Sequence, residues 1–356
     1  MNELNQRQNS LGLTALLAFA AVYVIWGSTY LAIRIAIETL PALTMAGVRF
    51  LTAGSLLLAW VRWRDGGPWP ALRQWRSAAL LGLLLLVGGN GSVVLAEYHV
   101  PSGIAALIVG TEPLFIVLLL MFWRGGERPS RRTVVALLIG FAGAAILAAP
   151  GKDALGTLHL PSVLLLFFAC LTWAAGSLYA RNADLPSSPL MGAAMQMLTG
   201  GSVLLVLGGS IGEWKDLQPS TFSLNSILAL AYLIFFGAIV AYTAYNWLVR
   251  NVRPTLVATY AYVNPVVAVF LGWLIVSEPL STRTFIAAAL ILGAVFIVGS
   301  ERQSRKQVSR EEASTPPSDS TESPRETSPE EADLRKADLR KASLRKTNEK
   351  KLKECA

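Results

Sequence analysis

The sequence predicts an all-α membrane protein of ten transmembrane helices, arranged as two inverted five-helix repeats. Three features predict it: apolar runs of membrane length, scarcity of charge within them, and an internal duplication. Of 356 residues, 53% are hydrophobic and 15% charged, whereas a soluble domain carries about a quarter charged. The charges are also segregated. Residues 301–356 hold 14 Lys/Arg and 12 Asp/Glu, leaving 17 and 11 for everything before them. A body so poor in charge lacks the polar surface that water requires, so its solvent is the lipid bilayer.

The runs fall at about 11–33, 41–61, 77–97, 101–123, 131–149, 160–180, 189–211, 224–249, 255–276 and 283–299. Each approaches the roughly 20 residues with which a helix crosses a hydrocarbon core about 30 Å thick. They are continuous rather than alternating, which favours helices over a β-barrel. The first is longer than a signal-peptide core, lacks a small-x-small exit and is followed by further spans, so it reads as a retained helix. With the N-terminus in the cytoplasm, that side collects Arg7, Arg62, Arg64, Arg73, Arg76, Arg124, Arg128, Arg131, Arg132, Arg181, Arg250 and Arg253. The far side has Lys152, Lys215 and Arg283, with Arg34 at the outer end of the first span. This asymmetry follows the positive-inside rule. It predicts a multi-pass inner-membrane protein with both termini cytoplasmic.

The duplication is legible in matched stretches. "LTAGSLLL" at 51–58 pairs with "LTGGSVLL" at 198–205, an offset of 147, and "TEPLFIVLLL" at 111–120 has its echo in "VNPVVAVFLG" at 263–272. The pairs Glu127/Glu278 and Arg132/Arg283 sit 151 apart. Residues 1–155 and 156–300 therefore read as two copies of one five-helix unit. An odd number of spans inserts the second copy upside down, the plan of secondary transporters whose substrate site lies near the midplane.

Four stretches carry a family resemblance: "YVIWGSTYLAIRIAIETLPALTMAGVRFLTAG" (23–54), "GLLLLVGGNGSVVLAEYHVPSGIAALI" (82–108), "LIVGTEPLF" (107–115) and "TYAYVNPVVAV" (259–269). In these the chain resembles the EamA-type branch of the drug/metabolite transporter superfamily, and within it the bacterial YedA-like permeases, over most of residues 11–300. The resemblance implies ten helices, a central cavity between the repeats, and export or exchange of a small metabolite.

Candidate site residues follow from polarity at membrane depth. Pro113 and Pro265 fall near the centres of spans four and nine, where proline removes an N–H donor and frees the carbonyl four residues back. They read either as packing kinks or as hinges of bent helices that line a cavity. Glu112 precedes the first proline, and a carboxylate at that depth is costly and functional by default. It reads as a proton-coupling group or as a stationary partner of Arg49. Its repeat counterpart, Asn264, does not titrate. Arg49, whose counterpart is Gln196, reads as a two-point clamp for a substrate carboxylate or as a structural bond to Glu112 or to freed carbonyls.

Trp26, Thr29, Tyr30 and Ile33 share one face of the first span by their spacing, as do Trp173 and Ser177 on the sixth. With Tyr242, Tyr245, Asn246, Tyr260 and Tyr262 they form a candidate aromatic cavity wall. "GGNGS" at 88–92 supplies glycines for close helix packing, and Asn90 is the cavity candidate within it. Glu97, His99, Arg34 and Glu38 read as solvated rim groups, the last two as an i,i+4 pair. Glu127 and Glu278, with Ser130 and Ser281 as helix caps, read as hairpin structure.

Several classes are excluded. The two histidines lie near loops and no aspartate lies within a span, so an intramembrane hydrolase has no parts to use. No G-x-x-x-x-G-K-[ST] loop is present for ATP. Cys170 and Cys355 make neither a disulfide framework nor a metal cluster. No enzyme activity, cofactor, metal or nucleic acid is expected; the expected partners are a small-molecule substrate, the lipid bilayer and protons. Residues 301–356, including "ADLRKADLRKASLRK" at 332–346, read as a disordered charged cytoplasmic tail. The expected function is alternating-access export of a small organic metabolite, amino-acid-like or amphipathic. The rivals are a passive channel and a membrane scaffold acting through its tail.

Overall fold

The computed structural model describes residues 13–122, 130–149, 158–180, 182–215, 217–252 and 260–314, and no strand occurs among them. Two compact units divide the chain after Ser304; the first carries all that follows except the last turns of the final helix.

Its helices are α1 (Leu13–Ala36), α2 (Ala42–Asp65) and α3 (Leu72–Ala96), then α4 (Ser102–Val109), α5 (Glu112–Phe122) and α6 (Arg131–Ala148). There follow α7 (Leu160–Tyr179), α8 (Pro189–Ser210) and α9, which crosses as Leu224–Tyr245 and continues to Asn251. The last two are α10 (Tyr260–Val276) and α11 (Thr282–Ser314). Among the described residues, seven stretches are long and apolar enough to cross a membrane, with α4 and α5 counted as one, and Val263–Val276 and Thr282–Val298 are apolar but shorter.

Helix ends follow local chemistry. Ser130 Oγ accepts from the Thr133 amide at 3.1 Å and Ser281 Oγ from the Thr284 amide at 3.2 Å, the caps expected of both serines. α2 stops at Gly66, whose φ of 55° is the left-handed conformation that glycine adopts without strain. α11 does not end near residue 300: its Glu, Arg, Lys and Gln residues continue the helix through Ser314, as their propensities allow. The remainder of the expected tail lies outside the described residues, as do Glu127 and Cys355.

Among the described residues the most extensive helix contact recorded joins α2 and α8. A methyl group on Gly54 would lie 3.0 Å from Met197 Cβ and 3.1 Å from the Ala194 carbonyl. One on Gly201 would lie 2.9 Å from the Leu51 amide and 3.1 Å from the Gly47 carbonyl. Gly54 and Gly201 are separated by the duplication offset, and so are Gly47 and Ala194, so the contact is reciprocal. Gly47 meets Leu205 while Gly54 meets Met197. Numbers rise along one helix as they fall along the other, which makes the pair antiparallel. α3 joins through Gly82, whose added methyl would meet the Gln196 carbonyl at 2.6 Å. Small residues permit this approach where lipid supplies no hydrophobic drive between helices.

Two buried clusters mix the halves. Phe50, Leu57, Leu204 and Leu233 unite α2, α8 and α9, and Ile104, Leu147, Leu166 and Ile291 unite α4, α6, α7 and α11. Outside them, side chains such as Leu138, Phe296, Leu228 and Phe270 are exposed, which suits a surface in contact with lipid.

Candidate functional site

Between the clusters lies a cavity of about 590 Å³, within the range of small-molecule sites. Trp26, Tyr30 and Ile33 of α1 line it together, as their shared helical face predicts. The Trp26 indole N–H donates to the Gly237 carbonyl at 3.2 Å. Its ring lies 5.1 Å from Tyr245 and 5.6 Å, edge-on, from Tyr260. Tyr245 and Tyr260 meet edge-to-face at 5.9 Å, and Tyr242 sits 6.5 Å from Tyr245. Such pairs rigidify one another beyond the area they bury. The result is an aromatic box built from α1, α9 and α10.

Three π-helical segments border this space: Val22–Trp26, Gly82–Gly91 and Leu233–Val240. They contribute Trp26, Asn90 and Gly237 to the lining. A wider turn offsets carbonyls from the usual ladder, and such segments often mark functional sites. The glycines of 88–91 serve packing as predicted: a methyl on Gly89 would lie 2.7 Å from Trp173, and one on Gly88 2.9 Å from Thr172. Trp173, Ser177 and Asn90 all line the cavity.

Both charged candidates reach it. Arg49 is 5% exposed and Glu112 8%, and both contribute to the wall. They do not pair. Among the described residues the recorded ion pair is Arg73–Asp184 at 3.4 Å, near the surface, so of the two readings left open for Glu112 the stationary bond to Arg49 is not formed here. Arg49 Nε has no hydrogen-bond partner, and the guanidinium carbon rests 4.8 Å from the Phe50 ring centroid. The repeat counterparts Gln196 and Asn264 line the same space, and Asn264 Oδ1 is buried without a partner. Two duplicated polar positions thus converge on one cavity.

The two prolines behave differently. At Pro113 the span breaks instead of bending: α4 ends at Val109, Thr111 N–H turns back to the Ile108 carbonyl at 3.0 Å, and α5 starts at Glu112. Pro113 becomes the second residue of a new helix, where its missing N–H costs little, and it does not line the cavity. The Cys170 thiol approaches the freed Val109 carbonyl at 3.8 Å. Pro265 lies inside α10 and borders the cavity. The side chains of Asn246 and Tyr262 lie outside the described residues.

The cavity is one-sided. Its lining includes Leu185, Pro186 and Ser187 of the α7–α8 connection and Pro189 at the start of α8, and no described residue of the connections at the other end. That other end is tied shut. Glu213 accepts the Leu43 and Thr44 amides at 3.0 and 2.7 Å, capping α2. The Ser223 amide donates to Thr39 Oγ1 at 3.0 Å, and Ser226 Oγ donates to the Ile35 carbonyl at 2.8 Å. His99 and His159 stack at 4.4 Å.

One hairpin expectation, for Glu278, and two rim expectations, for Glu97 and for the Arg34–Glu38 pair, fail at that end. Glu278 accepts the Ser102 and Gly103 amides at 2.6 and 2.9 Å, so it caps α4 across the fold and does not merely shape its own hairpin. Glu97 is fully buried. Arg34 donates to the Glu97 carbonyl at 2.7 Å and makes no ion pair with Glu38. Hydropathy cannot see these roles, because neighbouring connections decide whether a loop carboxylate meets water.

The profile of the EamA-like transporter family matches this chain twice, over residues 13–149 and 160–300. The uncharacterized inner membrane transporter YedA of Escherichia coli (strain K12) is 44% identical over 282 residues, covering 79% of this chain and 89% of that protein. The uncharacterized transporter YvbV of Bacillus subtilis (strain 168) is 25% identical over 82% of this chain and 93% of its own length. A probable amino-acid metabolite efflux pump of Escherichia coli (strain K12) is 24% identical over 78% and 91%. A solved crystal structure at 22% identity aligns with a TM-score of 0.57 over 83% of this chain and 99% of that one, which speaks to fold alone.

Proposed function

This chain belongs to the EamA-like transporter family, and from that premise we propose that it is a secondary carrier exporting small zwitterionic metabolites across the inner membrane. The observation that carries the proposal is one aromatic cavity lined by both the Arg49 guanidinium and the Glu112 carboxylate, neither of them in an ion pair among the described residues. A molecule with both an anionic and a cationic group satisfies both at once, and desolvating either alone costs several kcal/mol (about 2.5–3.5 on insertion scales). Amino acids and their relatives fit that description. The efflux pump named among the relatives points the same way.

Alternating access of two inverted five-helix repeats supplies the mechanism. The reciprocal, antiparallel α2–α8 contact at the duplication offset supports it, because a symmetry axis along the membrane normal would make that pair parallel. So does the one-sided cavity. With basic loops placed inside, the α7–α8 mouth faces the cytoplasm, and Glu213 and Glu278 close the outer end. Substrate enters from within; Arg49 takes its carboxylate and Glu112 its ammonium. Opening of the outer caps with closure of the inner mouth then releases it outside. Glu112 exchanges the departing ammonium for a proton, so a pH gradient drives net export, and the neutral Asn264 confines that step to one half.

Counterflow in proteoliposomes tests this against a passive channel. Amino acid loaded inside accelerates uptake of labelled amino acid by a carrier, whereas a pore shows no such trans effect. Deleting residues 301–356 tests the scaffold alternative: a cellular phenotype that disappears while counterflow persists would make the tail the function.

A further inference from the structure

Among the described residues, Glu97 is the buried carboxylate that neither the cavity nor the caps employ. It follows α3 directly, it is fully buried, and neither carboxylate oxygen has a hydrogen-bond partner among the described residues. An ionised carboxylate in that setting loses its hydration and gains nothing in return. Its neighbour Glu278 is treated oppositely. Each Glu278 oxygen receives a backbone N–H of α4, the arrangement that favours a negative charge at a helix N-terminus. Of the two neighbouring carboxylates, Glu97 is the one left without a donor.

We propose that Glu97 is a proton-binding site of the outer gate, occupied when the gate is closed and vacated when it opens. Opening lifts Glu278 off α4 and admits water, so Glu97 ionises beside Arg34, whose guanidinium already reaches its backbone carbonyl. The groups facing Glu97 are Arg34 and the Tyr30 phenol from α1 and Glu278 from the α10–α11 connection; the His99–His159 stack begins two residues further along the α3–α4 connection. Burial pushes the Glu97 carboxyl well above the ordinary carboxylate range; Glu278 adds to the rise and Arg34 opposes it. The sign follows. A proton bound only in the closed state favours closure at low pH, and that advantage is lost as pH rises through the raised value. Acid outside therefore favours the inward-facing form. Over that window the closed-to-open ratio changes by up to about tenfold per pH unit.

The inference rests on the alternating-access proposal, and the test separates the two. Spin labels at Glu38→Cys and Leu160→Cys, both exposed at the outer end, report the gate distance in nanodiscs, with Cys355→Ser removing the tail thiol. Two populations are expected in the wild type, with the closed one growing as pH falls from about 9 to about 5. Glu97→Gln is expected to stay predominantly closed with no pH slope, Glu97→Asp to keep a slope, and Glu97→Gln to lose a protonated-carboxyl infrared band. If Glu97→Gln does not fold, the Asp variant and the wild-type infrared band carry the test. A retained slope in Glu97→Gln, a gate that opens on acidification, or no protonated band overturns the inference and leaves alternating access standing. A single closed population under every condition overturns both.

Discussion

Replacing Arg49 by glutamine separates substrate recognition from architecture. The guanidinium is 5% exposed, lacks a partner at Nε and lies over Phe50. Glutamine already occupies the equivalent place on α8 as Gln196, so the cavity accommodates its shape. A hydrogen bond to a charged group contributes about 1.5–3 kcal/mol, so losing the clamp weakens binding of a carboxylated substrate about 10- to 150-fold. The assay compares an amino acid with the amine left by removing its carboxylate, by equilibrium binding to purified protein. The amino acid weakens by that factor and the amine is unaffected. Thermal stability of the unliganded protein is unchanged or higher, because a buried charge without a partner stabilises nothing. Equal weakening of both ligands, or a fall in melting temperature without ligand, would refute the clamp and make Arg49 a structural residue.

Glu112→Gln retains counterflow at a raised KM but no longer responds to an imposed pH gradient; undiminished pH-driven transport removes the proton role. Gly201→Val drives a branched side chain into the Leu51 amide and Gly47 carbonyl, an overpacking cost of about 1–3 kcal/mol. It should lower the melting temperature in detergent, and an unchanged value would mean that α2 and α8 separate easily. Glu213→Gln loses a charge-assisted cap on α2, weakening outer closure by about 1.5–3 kcal/mol. A cysteine at Ile33 should then react at least about tenfold faster with an impermeant thiol reagent added outside; an unaltered rate would show that the cap is not a latch.

Much of the cavity was legible because membrane depth makes polar residues conspicuous. Trp26, Tyr30, Arg49, Glu112, Trp173, Gln196 and Asn264 stand out against apolar runs, and all line one space. Tyr242, Tyr260 and Asn90 join them for the same reason. The π-helical segments were less legible, although the glycines of 88–91 and Gly237 lie within two of them. Pro113 was legible as a perturbation and not as a clean break, because the Gly110–Thr111 turn before it decides how the chain restarts.

The sequence by itself determined the solvent, the rods and the twofold kinship of the halves, because burial in lipid selects long apolar runs and duplication leaves a constant offset. Only the tertiary structure decided which charges are left alone. Glu97 and Glu278 look alike as loop carboxylates, yet one is sealed off without a donor and the other holds two backbone amides of a helix over 170 residues away. Charge state depends on what surrounds a group, and those surroundings come from parts of the chain remote in sequence.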